Sequence, residues 1–367
     1  MESSRTDRLA DIARLQAALS SRSAHACRQE VIMDNSNLWS GIRAFYEPTI
    51  EIMAMWMWGL PLFAAVVAII FILSERPNGP ISFKMLLNAA FPRDLHSHAS
   101  ARVDRWNAII LFVIGFPLVG LFALNGLAIA TNVANLLSAE FGATAPLLHA
   151  AWAIVAVQFL VFFLATDFMG YWVHYWCHTN PFLWTLHKPH HTAETLTPWT
   201  LYRQHPIEFF IVNAVPAVFG GLVTGVALYA TGTALHPGTM ACVGIMAYIL
   251  FFVIDFLSHV HVPVSYGWLD RIVLAPVMHN LHHSIELHHR DKNNAVVLTL
   301  WDWMFGTLYL PKKGETWRWG VNEEEFGDQN PHKTLKGFYG EPFVVAGRQI
   351  RDLVRVGRRH EAEADPK

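Results

Sequence analysis

The chain has 367 residues, 53% of them hydrophobic, with a formal net charge of −2 and a mean hydropathy of +0.28. It is too apolar for an ordinary soluble domain and reads as a membrane protein. The charge supplies no basic face for nucleic acid. Cys27, Cys177 and Cys242 form no pair pattern, which argues against disulfides and against a zinc ribbon.

Residues 1–50 are polar and open on no apolar core, so they do not read as a signal peptide. Leu9, Ile12, Leu15 and Leu19 fall at helical spacing, which suits either an amphipathic helix on a membrane surface or a frayed tail. Five apolar runs follow: Ile52–Leu73, Ala108–Ala130, Leu147–Thr166, Phe209–Thr231 and Gly238–Ser258. Each is long enough for a hydrocarbon layer of roughly 30 Å. Gly221 and Gly225 in the fourth run have the spacing of closely packed helices. The loop 74–107 carries Arg76, Lys84, Arg93, Arg102 and Arg105, whereas 131–146 and 232–237 carry no Lys or Arg. Loop charge therefore places 74–107, and with it residues 167–208 and 259–367, on the cytosolic side. Five crossings leave the N-terminus outside despite its arginines, a conflict that a re-entrant first segment would remove.

Thirteen of the twenty histidines fall within 174–205 or 259–289. His174 and His178 stand four apart on one predicted helix face, with Asp167 and Tyr171 below them and Pro181 ending the helix. His187, His190 and His191 have the spacing H-x-x-H-H, so a further helical turn would aim their rings in about one direction. His279, His282 and His283 repeat that spacing, and His259 follows the fifth apolar run. Clustered neutral imidazoles suit a transition metal, and nine exceed what one ion takes, so the expectation is two ions. Asp167 and Asp255 are expected to hold ligand rings or pack between helices, with metal ligation a further option for Asp255. His205, at a turn before Pro206, is expected beside the metals or at a substrate lip. His261, His288 and His289 lack the doubled pattern and read as ordinary histidines, and Cys177 reads as packing.

The segments Y-W-V-H-Y-W-C-H, L-W-T-L-H-K-P-H-H, R-Q-H-P-I-E, M-H-N-L-H-H-S, D-K-N-N-A and W-D-W-M-F-G-T-L-Y, within 150–312, resemble the sterol desaturase / fatty acid hydroxylase superfamily of membrane di-iron enzymes. Three positions depart from the family pattern: Tyr175 where Arg is frequent, Asn294-Ala295 in place of Tyr-Gly, and Asp255 where some members have a further histidine. The resemblance implies an all-α, polytopic membrane bundle of about four to five spans with a cytosolic helical cap carrying a histidine-ligated dimetal site. The chain is expected to divide into 1–50, a polar segment; 51–146, N-terminal spans; 147–312, the catalytic domain; and 313–367, a cytosolic extension, in which Arg348, Arg351 and Arg355 alternating with Ile350, Leu353 and Val354 read either as a basic interfacial helix or as a solvated tail.

The expected reaction is hydroxylation of an unactivated lipid C–H bond with O2, on two iron ions that zinc would replace in purified protein. Imidazole-rich ligation tolerates iron in changing oxidation states, whereas two-metal hydrolases favour bridging carboxylates. The chain has no dinucleotide, haem or iron–sulfur motif, so electrons are expected from a separate ferredoxin or cytochrome b5. Leu235-His236-Pro237-Gly238 sits in too short a loop to be a haem-binding motif. Desaturation on the same site is the nearest alternative; a membrane haem cytochrome and a metal transporter are alternatives of other classes. The expected location is the cytoplasmic membrane of a bacterium or the endoplasmic reticulum of a eukaryote.

Overall fold

The computed structural model describes residues 82–121, 126–233, 237–312, 314–320 and 329–364, and the features expected in 1–50 and Ile52–Leu73 lie outside them. Regular structure among the described residues is helical, apart from isolated bridges between Val273 and Leu298 and between Ser284 and Trp319. In chain order the main helices are α1 Phe83–Ala90, α2 Ala99–Ile110, α3 Gly126–Phe141, α4 Ala151–Thr179 and α5 Pro181–His191. They are followed by α6 Pro206–Ala230, α7 Pro237–Ser258, α8 Pro276–His282, α9 Leu300–Phe305 and α10 Leu335–Ala364.

Among the described residues, α4 and α6 are long and apolar enough to cross a membrane, and Cys242–Ser258 within α7 is a shorter apolar stretch. The apolar run 108–130 does not form one straight helix. Helix α2 passes into a π-helical turn at Leu111–Gly115 and then Phe116–Leu121, and α3 covers Gly126–Phe141. Pro117 accounts for the widened turn, because its ring lacks a donor and collides with the carbonyl four residues back. At 1.5 Å per residue, α4 is about 43 Å long, well over a hydrocarbon layer of ~30 Å. Its first part is an apolar rod with Trp152 and Leu160 exposed, and its last turns carry His174 and His178.

Helix α6 lies between α3 and α4 because glycines remove the side chains that would keep them apart. A Cβ on Gly221 would overlap the Gly126 carbonyl, and one on Gly225 would strike Val133, both on α3. A Cβ on Gly220 would strike Thr166 of α4. The close packing expected from Gly221 and Gly225 is therefore present.

Asn180 separates α4 from α5 and caps α5 by accepting from the N–H groups of Phe182 (2.9 Å) and Leu183 (3.2 Å), while Pro181 occupies the first turn, where a missing N–H costs nothing. Behind α5, Arg203 is fully buried. Its guanidinium pairs with Asp104 of α2 at 2.5 Å and donates to the Pro189 carbonyl at 2.7 Å and the His332 carbonyl at 2.9 Å. Thr200 donates to the other Asp104 oxygen at 2.8 Å. One cation thus fixes α2, the end of α5 and the start of the C-terminal region. Helix α10 runs along α5, with the Gln349 amide donating to the Pro181 carbonyl and the Lys188 ammonium on Glu341 at 2.9 Å. Beyond this contact its Arg348, Arg351 and Arg355 are exposed beside Ile350, Leu353 and Val354.

Removing one member of a buried ion pair leaves the other charge uncompensated, at about 3–5 kcal/mol. Arg203→Ala is expected to lower the thermal unfolding midpoint in detergent by many degrees, and the double variant Arg203→Met/Asp104→Leu to recover part of the loss. An unchanged midpoint in the single variant would show that the pair does not hold these elements.

Candidate metal centre

Helix geometry divides the histidines. Residues four apart point about 40° from each other, and the residue three along lies about 60° to the other side. On α5, His187 and His191 therefore face one point and His190 another. On α8, His279 pairs with His283, while His282 turns away. The two helices face each other so that each sends its pair to one place and its odd ring to the other. One group holds His174, His178, His187, His191 and His282; the second holds His190, His259, His279 and His283; in each, the candidate ligand atoms lie within 4.8 Å of one another. The H-x-x-H-H rings thus do not share one direction as expected from spacing, because a one-residue difference rotates a helical side chain by about 100°.

The inward atoms are Nε2. In the first group the Nε2–Nε2 separation is 3.1 Å for His178–His187, 3.0 Å for His187–His191 and 3.1 Å for His174–His282. In the second it is 3.3 Å for His190–His259, 3.0 Å for His259–His279 and 3.1 Å for His279–His283. Donors about 2.1 Å from one ion stand roughly 3.0–3.4 Å apart in octahedral or tetrahedral arrangement, so these spacings fit first-row metal ions. Burial, and then neighbouring imidazoles, push His187, His190, His191, His279 and His283 well below the usual imidazole range, and burial does the same to His282. Burial lowers His259 from 6.5 to about 4. Neutral rings keep the lone pairs that a metal needs.

The outer nitrogens show how rings are aimed. His174 Nδ1–H donates to the Asn294 carbonyl at 2.8 Å, His282 to the Lys292 carbonyl at 2.7 Å, His259 to the Asp255 carbonyl at 2.8 Å, and His187 to Glu208 Oε1 at 2.6 Å. Each bond fixes the tautomer with Nε2 free. Two carbonyls come from one loop, in which Asp291 (φ 57°) and Asn293 (φ 58°) are left-handed, a conformation asparagine and aspartate tolerate better than most residues. Asp302 holds that loop by accepting the N–H groups of Asn294 at 2.8 Å and Ala295 at 3.0 Å, so the W-D-W-M-F-G-T segment folds back against the histidine region. In the second group His190, His279 and His283 have no hydrogen-bond partner on Nδ1.

Asp167 does not hold His174, against the expectation from its helix face. It lies two turns, or about 10 Å, down α4, where it accepts the N–H groups of Val297 (2.9 Å), Leu298 (3.1 Å) and the Trp301 indole (2.8 Å). The Asp255 carboxylate is not among the grouped ligand atoms; it sits 3.4 Å from the outer nitrogen of His259. His205 is likewise outside both groups. It caps α6, with Nδ1 accepting the Ile207 N–H at 3.3 Å, while Glu208 accepts the His205 N–H at 3.2 Å. Cys177 is buried and unpaired, and His261 reaches only the Ala89 carbonyl. Sequence reasoning assigned no role to Glu208 or His332. The R-x-H-P-x-E segment, a helix start with an acid at its third position, was the available signal for Glu208. His332, outside the two histidine-rich stretches, faces Thr192 at 3.0 Å and Glu341 at 3.2 Å.

Two cavities meet at these rings. One of about 430 Å³ is lined by apolar side chains including Leu127, Phe162, Phe209 and Phe252 and reaches His174 and His259. The other, about 370 Å³, reaches His178 and His283 and carries Lys188, Arg290 and Asp291.

The unfolded chain protonates its histidines as pH falls below 6.5, whereas folded His259 resists until about 4. Stability of metal-free protein is therefore complete above pH 6.5 and lost as pH falls through the folded value. A melting series from pH 8 to pH 4 tests this; a flat profile contradicts it. Glu208→Gln removes the carboxyl group behind His187, and is expected to weaken metal binding by about 10–100-fold in competition with a chelator, with an intact melting profile.

Residues 159–307 match the family model for fatty acid hydroxylase. Human alkylglycerol monooxygenase is 29% identical over 146 residues, 40% of this chain and 29% of that protein. The ornithine lipid hydroxylase of Rhizobium tropici is 26% identical over 198 residues, 53% of each chain. A Delta(7)-sterol 5(6)-desaturase of Gibberella zeae is 26% identical over 132 residues, 36% of each chain. The chain thus spans less than two thirds of each of these relatives. No solved structure matches. The histidine motifs, their shared helical framework and the matched segment agree: residues 159–307 are similar to the fatty acid hydroxylase family and to its monooxygenase, hydroxylase and desaturase relatives.

Proposed function

We propose that the chain is a membrane-bound di-iron oxygenase that hydroxylates an unactivated C–H bond of a lipid, on a fatty acyl chain or a sterol-like skeleton. The observation that carries this reading is the meeting of nine imidazoles, grouped five and four, between an apolar and a polar cavity. His174, His178, His187, His191 and His282 would hold one iron; His190, His259, His279 and His283 would hold the other. Bound iron would supply the reduction of O2 and the oxidation of the C–H bond, chemistry no protein side chain performs. The names of the relatives, a monooxygenase, a hydroxylase and a desaturase, support oxidation of a lipid.

The chain's own residues do the rest. The apolar cavity admits a lipid chain and leaves water behind, as the oxidation requires. Its walls bring a methylene to the ring edges of His174 and His259. The carbonyls of Asn294 and Lys292 and the Glu208 carboxyl group keep the imidazoles of His174, His282 and His187 from turning, so those rings would present their Nε2 atoms to a bound ion in a fixed direction. The polar cavity is the approach for O2, protons and electrons from a separate ferredoxin or cytochrome b5. In this scheme the N-terminal spans within 51–146 and the long apolar helices sit in the bilayer, 147–312 is the catalytic domain, and the histidine ends of α4 and α7 face the cytosol with 74–107 and 313–367. The membrane is the cytoplasmic one in a bacterium, the endoplasmic reticulum in a eukaryote. Asp255 lines the apolar cavity and would touch substrate. Desaturation is the second reading, favoured by the match to a sterol desaturase. The grouping of four and five imidazoles at helix ends supports neither a haem cytochrome nor a transporter.

Mass spectrometry of lipids from cells with and without the protein tests the reaction. A product with one added oxygen supports hydroxylation, one with two hydrogens fewer supports desaturation, and identical lipid profiles contradict both. His191→Ala is expected to reduce turnover by ~100-fold or more and to lower bound metal from about two ions per chain to about one, with membrane insertion retained. Full metal content in that variant would remove His191 from the ligand set.

A further inference from the structure

A third histidine cluster lies apart from the nine. The 3-10 turn Leu287–His289 follows the α8 motif, and its two rings meet Glu315 from a later loop. The three candidate ligand atoms lie within 4.8 Å of one another. His289 Nε2 is 3.1 Å and His288 Nε2 3.3 Å from Glu315 Oε1. We propose that His288, His289 and Glu315 form a mononuclear site for a divalent cation of the zinc class, separate from the dimetal centre.

Two ligand atoms each about 2.0–2.1 Å from a tetrahedral zinc stand about 3.4 Å apart, and the observed separations match that edge. Two nitrogens and one carboxylate oxygen with a fourth position open make a familiar zinc donor set. Tyr309 O–H also donates to Glu315 Oε1, at 2.8 Å. Three donors thus crowd one oxygen, which offers about two lone-pair sites. An ion in place of the imidazole hydrogens relieves that crowding. In the exchange the ring hydrogen moves from Nε2 to Nδ1, which frees the Nε2 lone pair for the ion. For His289 an acceptor waits there, Ser284 Oγ at 2.9 Å. Glu315 Oε2 is held separately by the Lys312 N–H at 2.8 Å, so the carboxylate is already aimed. His289 is buried, Glu315 half-buried and His288 exposed, which gives the ion an entry from solvent.

The position suggests what the ion does. Glu286, Leu287 and Arg290 on the same turn line the polar cavity, and Tyr309 N–H donates to Asn293 at 2.8 Å, in the loop behind His174 and His282. A cation here ties the rim of that cavity to the segment bracing the first histidine group.

The test starts from protein with its resident metals, counted by elemental analysis. The protein is exposed to excess Zn2+ or Co2+, desalted and counted again. One additional ion per chain is expected in the native protein, absent in His288→Ala and in Glu315→Gln, with resident metal and melting midpoint retained in His288→Ala. Cobalt absorption of a low-coordinate nitrogen–oxygen site in the native protein, lost in His288→Ala, is the second expected signal. No additional ion in the native protein, or uptake unaffected by both variants, overturns the proposal. Because resident metal is counted in the same sample, a failure of the dimetal reading is distinguishable from a failure of this one.

Discussion

The structure depends on keeping uncharged imidazole rings together away from water. A buried nitrogen without a partner is costly, and a protonated ring beside other rings is costlier still. Nine such rings cannot satisfy one another, since each neutral imidazole has one donor and one acceptor and all present the same nitrogen inward. The fold meets this cost in two ways. It binds outer nitrogens to carbonyls and to Glu208, and it leaves the inner lone pairs facing a common point, where a cation is the natural partner.

Most of the remaining architecture serves that arrangement. Helix α4 joins an apolar rod to a histidine-bearing end, so the position of two rings follows from the position of the rod. Helices α5 and α8 are short, with Pro181 and Pro276 in their first turns. Short helices have little packing of their own, so their placement comes from outside: from Arg203 and Asp104 behind α5, and from Asn280, whose amide donates to the Ser258 and Val260 carbonyls at 3.0 Å each, behind α8. Asp167 and Asp302 act on backbone rather than on ligands. Together they accept N–H groups from Asn294, Ala295, Val297 and Leu298, and so fix a stretch of loop that no regular hydrogen bonding would hold.

What the sequence made legible was local. The helices under the histidines, the end of α4 near Pro181 and the close approach at Gly221 and Gly225 all follow from spacings of three to five residues. The same spacing was misread at each H-x-x-H-H as one shared direction, although the 100° step of any helix divides its rings between two groups. What was not legible spans long separations. Glu208 meets His187 across a turn and two helix starts, and the Asn294 carbonyl meets His174 from 120 residues away. Backbone carbonyls have no side-chain signature, so the shell behind His174 and His282 could not be read from residue types. Asp167 misled because a shared helix face fixes direction and says nothing of height along the axis.

The two groups are unlike in how their rings are secured. Three of the five rings in the first group, His174, His187 and His282, are tethered at the back, whereas among the four of the second only His259 is, and His190, His279 and His283 are not. As seats for the proposed ions the two groups would differ as an anvil and a spring do: one braced from behind and supplied with five rings, its neighbour less braced and supplied with four. A reaction that changes the number of atoms around one centre more than the other would find that inequality already present in the protein before any substrate arrives.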